Sequence, residues 1–188
     1  INDGLNLYEN DKAVCSINGW FYPKKNDLPE TFFLLGGNTW GWGTWTRAWK
    51  KFNPDTNYLL NEIKSKKLIK KFNLNNSFDY FKMLKKRHNK MNDSHTIIWK
   101  ASTFVNEMFS LYSSKSLVNN IGFDGSGTHS KNTDDTHTHN FLAKSKILVK
   151  RVKIQENNEA LKFIQNFYKI KKIQNFLDNL KKKIFIFF

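Results

Sequence analysis

The apolar positions change their spacing several times along the chain, and each change predicts an element. Leu5 and Tyr8 share a helical face within residues 1–10, and Asn10-Asp11 breaks it, so a short helix ends there in a turn. Lys12 to Asn18, centred on Val14 and Ile17, predicts a short strand. It gives way to Gly19-Trp20-Phe21-Tyr22-Pro23 and a polar loop ending at Pro29. An aromatic loop leaving a strand suits the rim of a binding cleft.

Between Leu28 and Asp55 neither period holds. Trp40, Trp42, Trp45 and Trp49, four of the six tryptophans, stand among Gly36, Gly37, Gly41 and Gly43. Rings separated by single glycines do not suit a regular helix or strand, so the stretch reads as a shaped loop. Indoles offer flat apolar faces and one N–H donor, a chemistry that fits a sugar or a nucleotide. Trp45 and Trp49, four residues apart in a helix predicted over 44–52, read as packing residues. Trp40 and Trp42 read as a pocket wall.

Further on, helical spacing returns. Asp55 or Thr56 caps a predicted helix carrying Leu59, Leu60 and Ile63, continued by Leu68, Ile69 and Phe72. Asn75-Asn76-Ser77 predicts a turn with a capping serine before Phe78, Phe81 and Leu84, and the basic residues 85–89 follow as a solvated face. Asn92-Asp93-Ser94 opens the clearest helix, with Ile97, Ile98, Ala101, Phe104, Val105 and Met108 on one face. Residues 109–121 read as extended and lead into Gly122-Phe-Asp-Gly-Ser-Gly-Thr-His129, whose amides and hydroxyls suit an anion. After Gly127 the chain has no further glycine, proline or tryptophan. Residues 131–140 read as a polar linker and 141–154 as a strand. Residues 156–188 read as a long helix with Leu161, Ile164, Tyr168, Ile173, Phe176, Leu177, Leu180 and Ile184 on one side and lysines over most of the other.

Composition narrows the picture less than patterning does. The net charge of +15 raises nucleic acid or an anionic membrane as partners, but lysine and asparagine are abundant throughout. The single cysteine, Cys15, excludes an internal disulfide within this sequence and fits a buried small residue and a reducing, cytoplasmic setting. No apolar run approaches the roughly 20 residues that span a bilayer.

Two single residues stand out chemically. Asp93, at a helix start, is placed either to cap the helix or to act as a general base under a cleft. His129 behind the glycine-serine loop is a candidate metal or phosphate ligand. Asp134, Asp135, His137 and His139 alternate with threonines in low-complexity sequence, where adventitious metal binding outweighs a built site.

Several motifs in one order carry a resemblance. Leu28-Pro-Glu-Thr-Phe-Phe-Leu34, Trp40-Gly-Trp-Gly-Thr-Trp-Thr-Arg-Ala-Trp49, Asn92-Asp-Ser94 with Trp99, Leu111-Tyr112, Ser116-Leu-Val118 and Asn120-Ile-Gly-Phe-Asp-Gly-Ser-Gly-Thr-His129 resemble the second half of bacterial GT-A-fold, family 2-like glycosyltransferases of surface-polysaccharide synthesis. These are distantly similar to N-acetylglucosaminyltransferase I. The resemblance covers residues 1–130, the acceptor-side part, and leaves 131–140 as linker and 141–188 as a basic amphipathic helical tail.

The resemblance implies an α/β fold with a mixed sheet, a nucleotide-sugar donor, a glycan or lipid-linked acceptor, and inverting transfer of a sugar to a hydroxyl. It implies a divalent metal, Mn or Mg, held by an acidic motif that would lie upstream of Ile1 together with the donor-binding half. The isolated chain is therefore expected to be inactive or nearly so. By the same resemblance Asp93 falls where related enzymes place the base, and Glu30 is a second candidate. Trp40 and Trp42 would wall the sugar or acceptor site, while Asp124, Ser126 and His129 would lie near the diphosphate or metal. The chain departs from the family's Trp-Ala-Ile-Arg-Trp with His95-Thr-Ile-Ile-Trp99, which removes an arginine charge. The alternative function is a basic module that binds nucleic acid or the inner face of an anionic membrane; clustering of the tryptophans away from the lysines argues against nucleic acid.

Overall fold

The computed structural model describes residues 1–22, 28–119 and 142–184. In chain order these form α1 (Asn2–Leu7), β1 (Val14–Asn18), β2 (Thr31–Leu35), β3 (Trp42–Thr44), α2 (Thr46–Trp49) and α3 (Thr56–Ser65). α4 (Ile69–Phe72), α5 (Tyr80–His88), α6 (His95–Val105), β4 (Phe109–Ser113) and α7 (Asn158–Ile184) follow.

The fold is mixed α/β, built on an open four-stranded sheet in the order β2-β4-β1-β3. The central strands β1 and β4 run parallel, and the edge strands β2 and β3 are antiparallel to their neighbours. A parallel pair needs a long crossover, and here it is everything from β2 to α6.

A register irregularity in β1 between Val14 and Ser16 lets Val14 and Ile17, three residues apart, reach the same face. There they join Phe33, Leu111 and Tyr8, and α1 packs over them with Val149, Val152 and Ile154. The Tyr8 hydroxyl accepts from the Val152 amide at 2.9 Å, and Arg151 grips both Asp11 oxygens and the Leu7 carbonyl, which holds this segment down.

The other face carries Cys15, Ala48, Trp99 and Met108 on one side, and Phe21, Phe32, Leu34 and Tyr112 under the first turns of α7 on the other. α6 lies between this face and a second core made with α3 and α5 from Leu59, Ile63, Leu84, Ile97 and Phe104, among others. A helix flanked on both sides is buried all round. Every residue of α6 from Ile97 to Phe104 is buried except Lys100.

Several elements differ from the sequence expectation for local reasons. The stretch 28–55 is not one loop: Thr-Phe-Phe-Leu-Leu is a β-branched and aromatic run whose alternate side chains serve two faces, and it forms β2, while Trp42–Thr44 pairs with β1. The helix expected to run on from Leu59 to Phe72 is broken after Ser65, where Lys67 takes φ +56°. Asp79, not Ser77, caps α5, its carboxylate accepting from the Lys82 amide at 2.9 Å; the Ser77 hydroxyl turns back to the Leu74 carbonyl. β4 ends at Ser113, and the strand expected over 141–154 is reduced to isolated bridges, Ser116 with Leu142 and, just beyond it, Phe33 with Glu156. The helical tail expected from residue 141 begins as helix only at Asn158; residues 142–157 are irregular, and residues 149–154 contribute to the sheet's packing.

Arg47, in the tryptophan motif, is a structural clamp. Its guanidinium donates to the carbonyls of Glu9, Val14 and Tyr8 at 2.6–2.9 Å and stacks over Trp45 at 4.2 Å, tying α2 to the turn before β1. Only a planar fork of donors reaches several acceptors in this way.

Candidate functional site

A cavity of about 830 Å³ opens on the second face of the sheet. Its floor includes Leu34 of β2 and Tyr112 of β4, and its walls come from the loops after β1 and β2, the turn before α5, the start of α6, and α7.

The glycines of the tryptophan stretch explain how one wall is built. Gly37 donates its amide to Thr103 Oγ1 of α6 at 2.7 Å, and a Cβ at this position would stand 2.1 Å from the Trp99 indole nitrogen. Only a glycine lets the backbone lie this close to α6. Gly41 takes φ +53° and accepts the Gly19 amide at 2.7 Å, which brings the loop after β1 against the loop before β3. Trp20 and Trp40 then meet edge to face, with ring centres 4.6 Å apart, and both line the cavity.

The opposite wall is phenolic. Tyr22 and Tyr168 share a hydrogen bond between hydroxyls, and Tyr80 reaches Tyr168 at 3.4 Å. Burial pushes the phenols of Tyr22, Tyr80, Tyr112 and Tyr168 above their ordinary range, so they stay protonated and able to donate at neutral pH. Asn38, Asn73, Ser94 and Thr96 add amide and hydroxyl groups to the lining. Thr39 and Thr96 bond through their hydroxyls and pin the tryptophan loop to the start of α6.

Lys100 brings a charged group into this lining. It lines the cavity, its ammonium 4.7 Å from the centre of the Tyr80 ring. Burial pulls its pKa down to about 8, with the nearby carboxylate of Glu156 opposing part of that shift. Glu156 also lines the cavity, and its Oε1 accepts the Leu35 amide at 3.1 Å.

The residues singled out from sequence separate. Trp40 is in the cavity wall. Trp42 instead packs with Trp99 and Trp49, at ring distances of 5.5 and 6.3 Å, beside the Cys15 cluster. Trp45 packs against the sheet's cores, whereas Trp49 keeps 48% of its surface exposed and stacks on Phe52.

Asp93 is exposed and stands one residue ahead of Ser94, the N-cap of α6 and a cavity-lining residue. Asn92 fixes that turn, its side chain accepting from the Ser94 amide and donating to the Met83 carbonyl. Glu30 is exposed and accepts the Leu148 amide at 3.1 Å, and it does not line this cavity. Asp124, Ser126 and His129, with Asp134, Asp135, His137 and His139, lie outside the described residues. Among the described residues no three His, Cys, Asp or Glu side chains are grouped to hold a metal.

Sequence reasoning missed Lys100, Asn38, Tyr80, Tyr112 and Tyr168, whereas Trp20 and Tyr22 stand in the aromatic stretch read as a cleft rim and do line the cavity. Lys100 was detectable as the charged residue inside the most apolar helix; the three missed tyrosines come from separate elements and carry no shared signal.

No family model matches the chain, and neither a curated protein nor a solved structure matches it.

Proposed function

We propose that the chain is the acceptor-side part of an inverting glycosyltransferase of the partial GT-A kind, and that the cavity holds a sugar ring. The observation that carries this reading is the pairing of an aromatic wall, Trp20 with Trp40, and a ring of hydroxyl and amide groups around one space of about 830 Å³. Aromatic faces cover the C–H face of a pyranose while amides and hydroxyls meet its O–H groups.

In this reading Asp93 is the base. It sits just before the N-terminus of α6, whose dipole favours the carboxylate there, next to cavity residue Ser94. As the acceptor oxygen attacks the anomeric carbon, Asp93 takes the hydroxyl proton, and the bond to the leaving diphosphate breaks with its electron pair going to the phosphate oxygen. The donor-binding half and its metal-holding acidic motif belong to the same proposal. Glu30, engaged with Leu148, is the weaker base candidate of the two.

The test has two levels. Saturation-transfer NMR with glucose and N-acetylglucosamine should show binding that Trp40→Ala weakens at least tenfold and Trp42→Ala leaves alone. Transfer from UDP-sugars with Mn²⁺ should require a chain extended upstream through its own gene and should fall by about 10²–10⁴ with Asp93→Asn. Equal sugar binding by the Trp40→Ala variant, or full transfer by Asp93→Asn, would overturn the corresponding part.

A second observation favours contact with an anionic membrane surface. α7 packs on the body through Ala160, Leu161, Ile164 and Tyr168, yet its second half exposes Ile170, Ile173, Phe176, Leu177 and Leu180 on the opposite side. Lys162 and Lys169, both exposed, fall on the same side as that apolar stripe by helical spacing. Apolar residues dipping below flanking lysines suit an interfacial helix. No helix among the described residues is long and apolar enough to cross a membrane. Co-sedimentation with vesicles containing phosphatidylglycerol, lost on Ile173→Glu with Leu177→Glu and absent with neutral phosphatidylcholine, is the expected result; equal binding to both lipids would refute it.

A further inference from the structure

A lysine inside the most buried helix needs a reason. α6 buries both of its sides, and a long ammonium side chain at that depth is expensive compared with a leucine or methionine in the same place. Lys100 stays partly accessible, on the cavity side. It points its charge into the cavity, over the face of Tyr80.

The charges around it do not balance. Three lysines line the cavity, Lys100 from α6 with Lys171 and Lys172 from α7, against two carboxylates, Asp79 and Glu156. Asp79 is committed to α5, accepting the Lys82 amide at 2.9 Å and the Asn73 side-chain amide at 3.1 Å. Glu156 has one oxygen on the Leu35 amide at 3.1 Å. The lining therefore favours a ligand that brings negative charge.

We propose that the Lys100 ammonium is the anchor of an oxyanion subsite, which holds a phosphate or carboxylate carried by the sugar in the cavity. The anion would sit between α6 and α7, with the ring itself against Trp20 and Trp40. This inference rests on the sugar-binding reading of the cavity and narrows its substrate class to charged sugars. The lowered proton affinity of Lys100 supports it: a bound anion restores the charged form, so binding draws in a proton near pH 8.

The experiment compares glucose, glucuronic acid and glucose 1-phosphate by NMR titration of the full chain, at pH 7 and pH 9.5, in the natural protein and in Lys100→Met. At pH 7 a charged sugar should bind at least tenfold more tightly than glucose, with the glucuronic acid and phosphate arms telling carboxylate from phosphate. That advantage should shrink at pH 9.5 and vanish in Lys100→Met. A circular-dichroism melt of the variant checks that its fold is intact, and the pH comparison on the natural protein stands even where the variant misfolds. Glucose binding with no advantage for either charged sugar, or an advantage indifferent to both pH and Lys100→Met, would overturn the subsite alone. Failure of all three sugars to bind would remove the sugar reading with it.

Discussion

The two faces of the sheet are built from the same strands and end up with different purposes. On one, Val14, Ile17, Phe33 and Leu111 close against Tyr8, α1 and the 149–154 segment, leaving a cavity of about 220 Å³ toward the end near Ile1 and Ile147. On the other, the central strands carry Ser16 and Ser110, whose hydroxyls bond at 2.7 Å with Cys15 Sγ 3.2 Å from the latter, and Tyr112 floors a cavity of about 830 Å³. Large apolar side chains fill the first face; on the second the two serine hydroxyls satisfy each other beside Cys15, and the space lies further along, over Leu34 and Tyr112. The first face holds the fold together and the second leaves room for a ligand.

The sharpest way to break that contrast is to truncate one large side chain on each face. Phe33 is 1% exposed and touches Tyr8 edge to face at 5.2 Å, so Phe33→Ala should cost about 3–5 kcal/mol. Trp40 is a half-buried cavity-wall residue that meets Trp20 edge to face, and Trp40→Ala should cost only about 1 kcal/mol. Urea denaturation of both variants measures the difference. Equal losses would mean that the cavity wall is core, and the division between the faces would fall.

Gly37→Ala tests the join between the faces' supporting layers. The new methyl would collide with the buried Trp99 indole, which has no slack because Trp99 is 1% exposed and enclosed by Trp42, Trp49 and Gly37. The loop must lift off α6, at a cost of about 1–3 kcal/mol, and Asn38 and Trp40 must move with it. Sugar binding should weaken along with stability. A variant as stable as the natural protein, with unchanged near-UV circular dichroism, would show that the loop is not held by this contact.

How much of this was legible in the sequence follows from range. α6 was clear, because its apolar residues recur at helical spacing, and so were β1 and the α3 cap offered to Asp55 or Thr56, which Asp55 takes; the cap expected of Asp93 falls instead on Ser94, whose side chain makes no capping bond. β2 was not, since the neighbouring glycines and tryptophans masked a run of five strand residues whose pairing partner lies nearly 80 residues away. Trp40 and Trp42 look equivalent as Trp-Gly-Trp, yet they part company: Trp40 precedes β3 and faces the cavity, and Trp42 opens β3 and packs with Trp99. No local pattern distinguishes them. The tyrosine wall draws on residues 22, 80, 112 and 168, an arrangement that only tertiary contact creates. Arg47 sits in the motif that suggested ligand chemistry and serves the backbone instead.

The smallest expected effect is a slope in stability with pH, and it tells whether the charge on the cavity face is truly buried. Lys100 has its pKa lowered to about 8 by burial, with Glu156 and then Cys15 opposing, against about 10.4 in an unfolded chain. Between those values the unfolded chain holds a proton that the folded one has released, so this group makes stability rise with pH from about 8 to 10.4; below about 8 both states are protonated and the cost of the buried charge is fully present. Cys15 acts in the opposite sense. Burial pushes its thiol up to about 11, so the unfolded chain ionises first and stability falls as pH climbs above the ordinary thiol range near 9. The raised phenols of Tyr22, Tyr80, Tyr112 and Tyr168 add to that loss at still higher pH. Because these terms overlap, the informative quantity is the difference in Tm between the natural protein and Lys100→Met, in which the thiol and phenol contributions largely cancel. Whatever the sign of that difference at pH 7, it should move by a few degrees in favour of the natural protein between pH 8 and pH 10. A flat difference would mean that water reaches the ammonium freely, and the cavity face would then be an open surface rather than an interior.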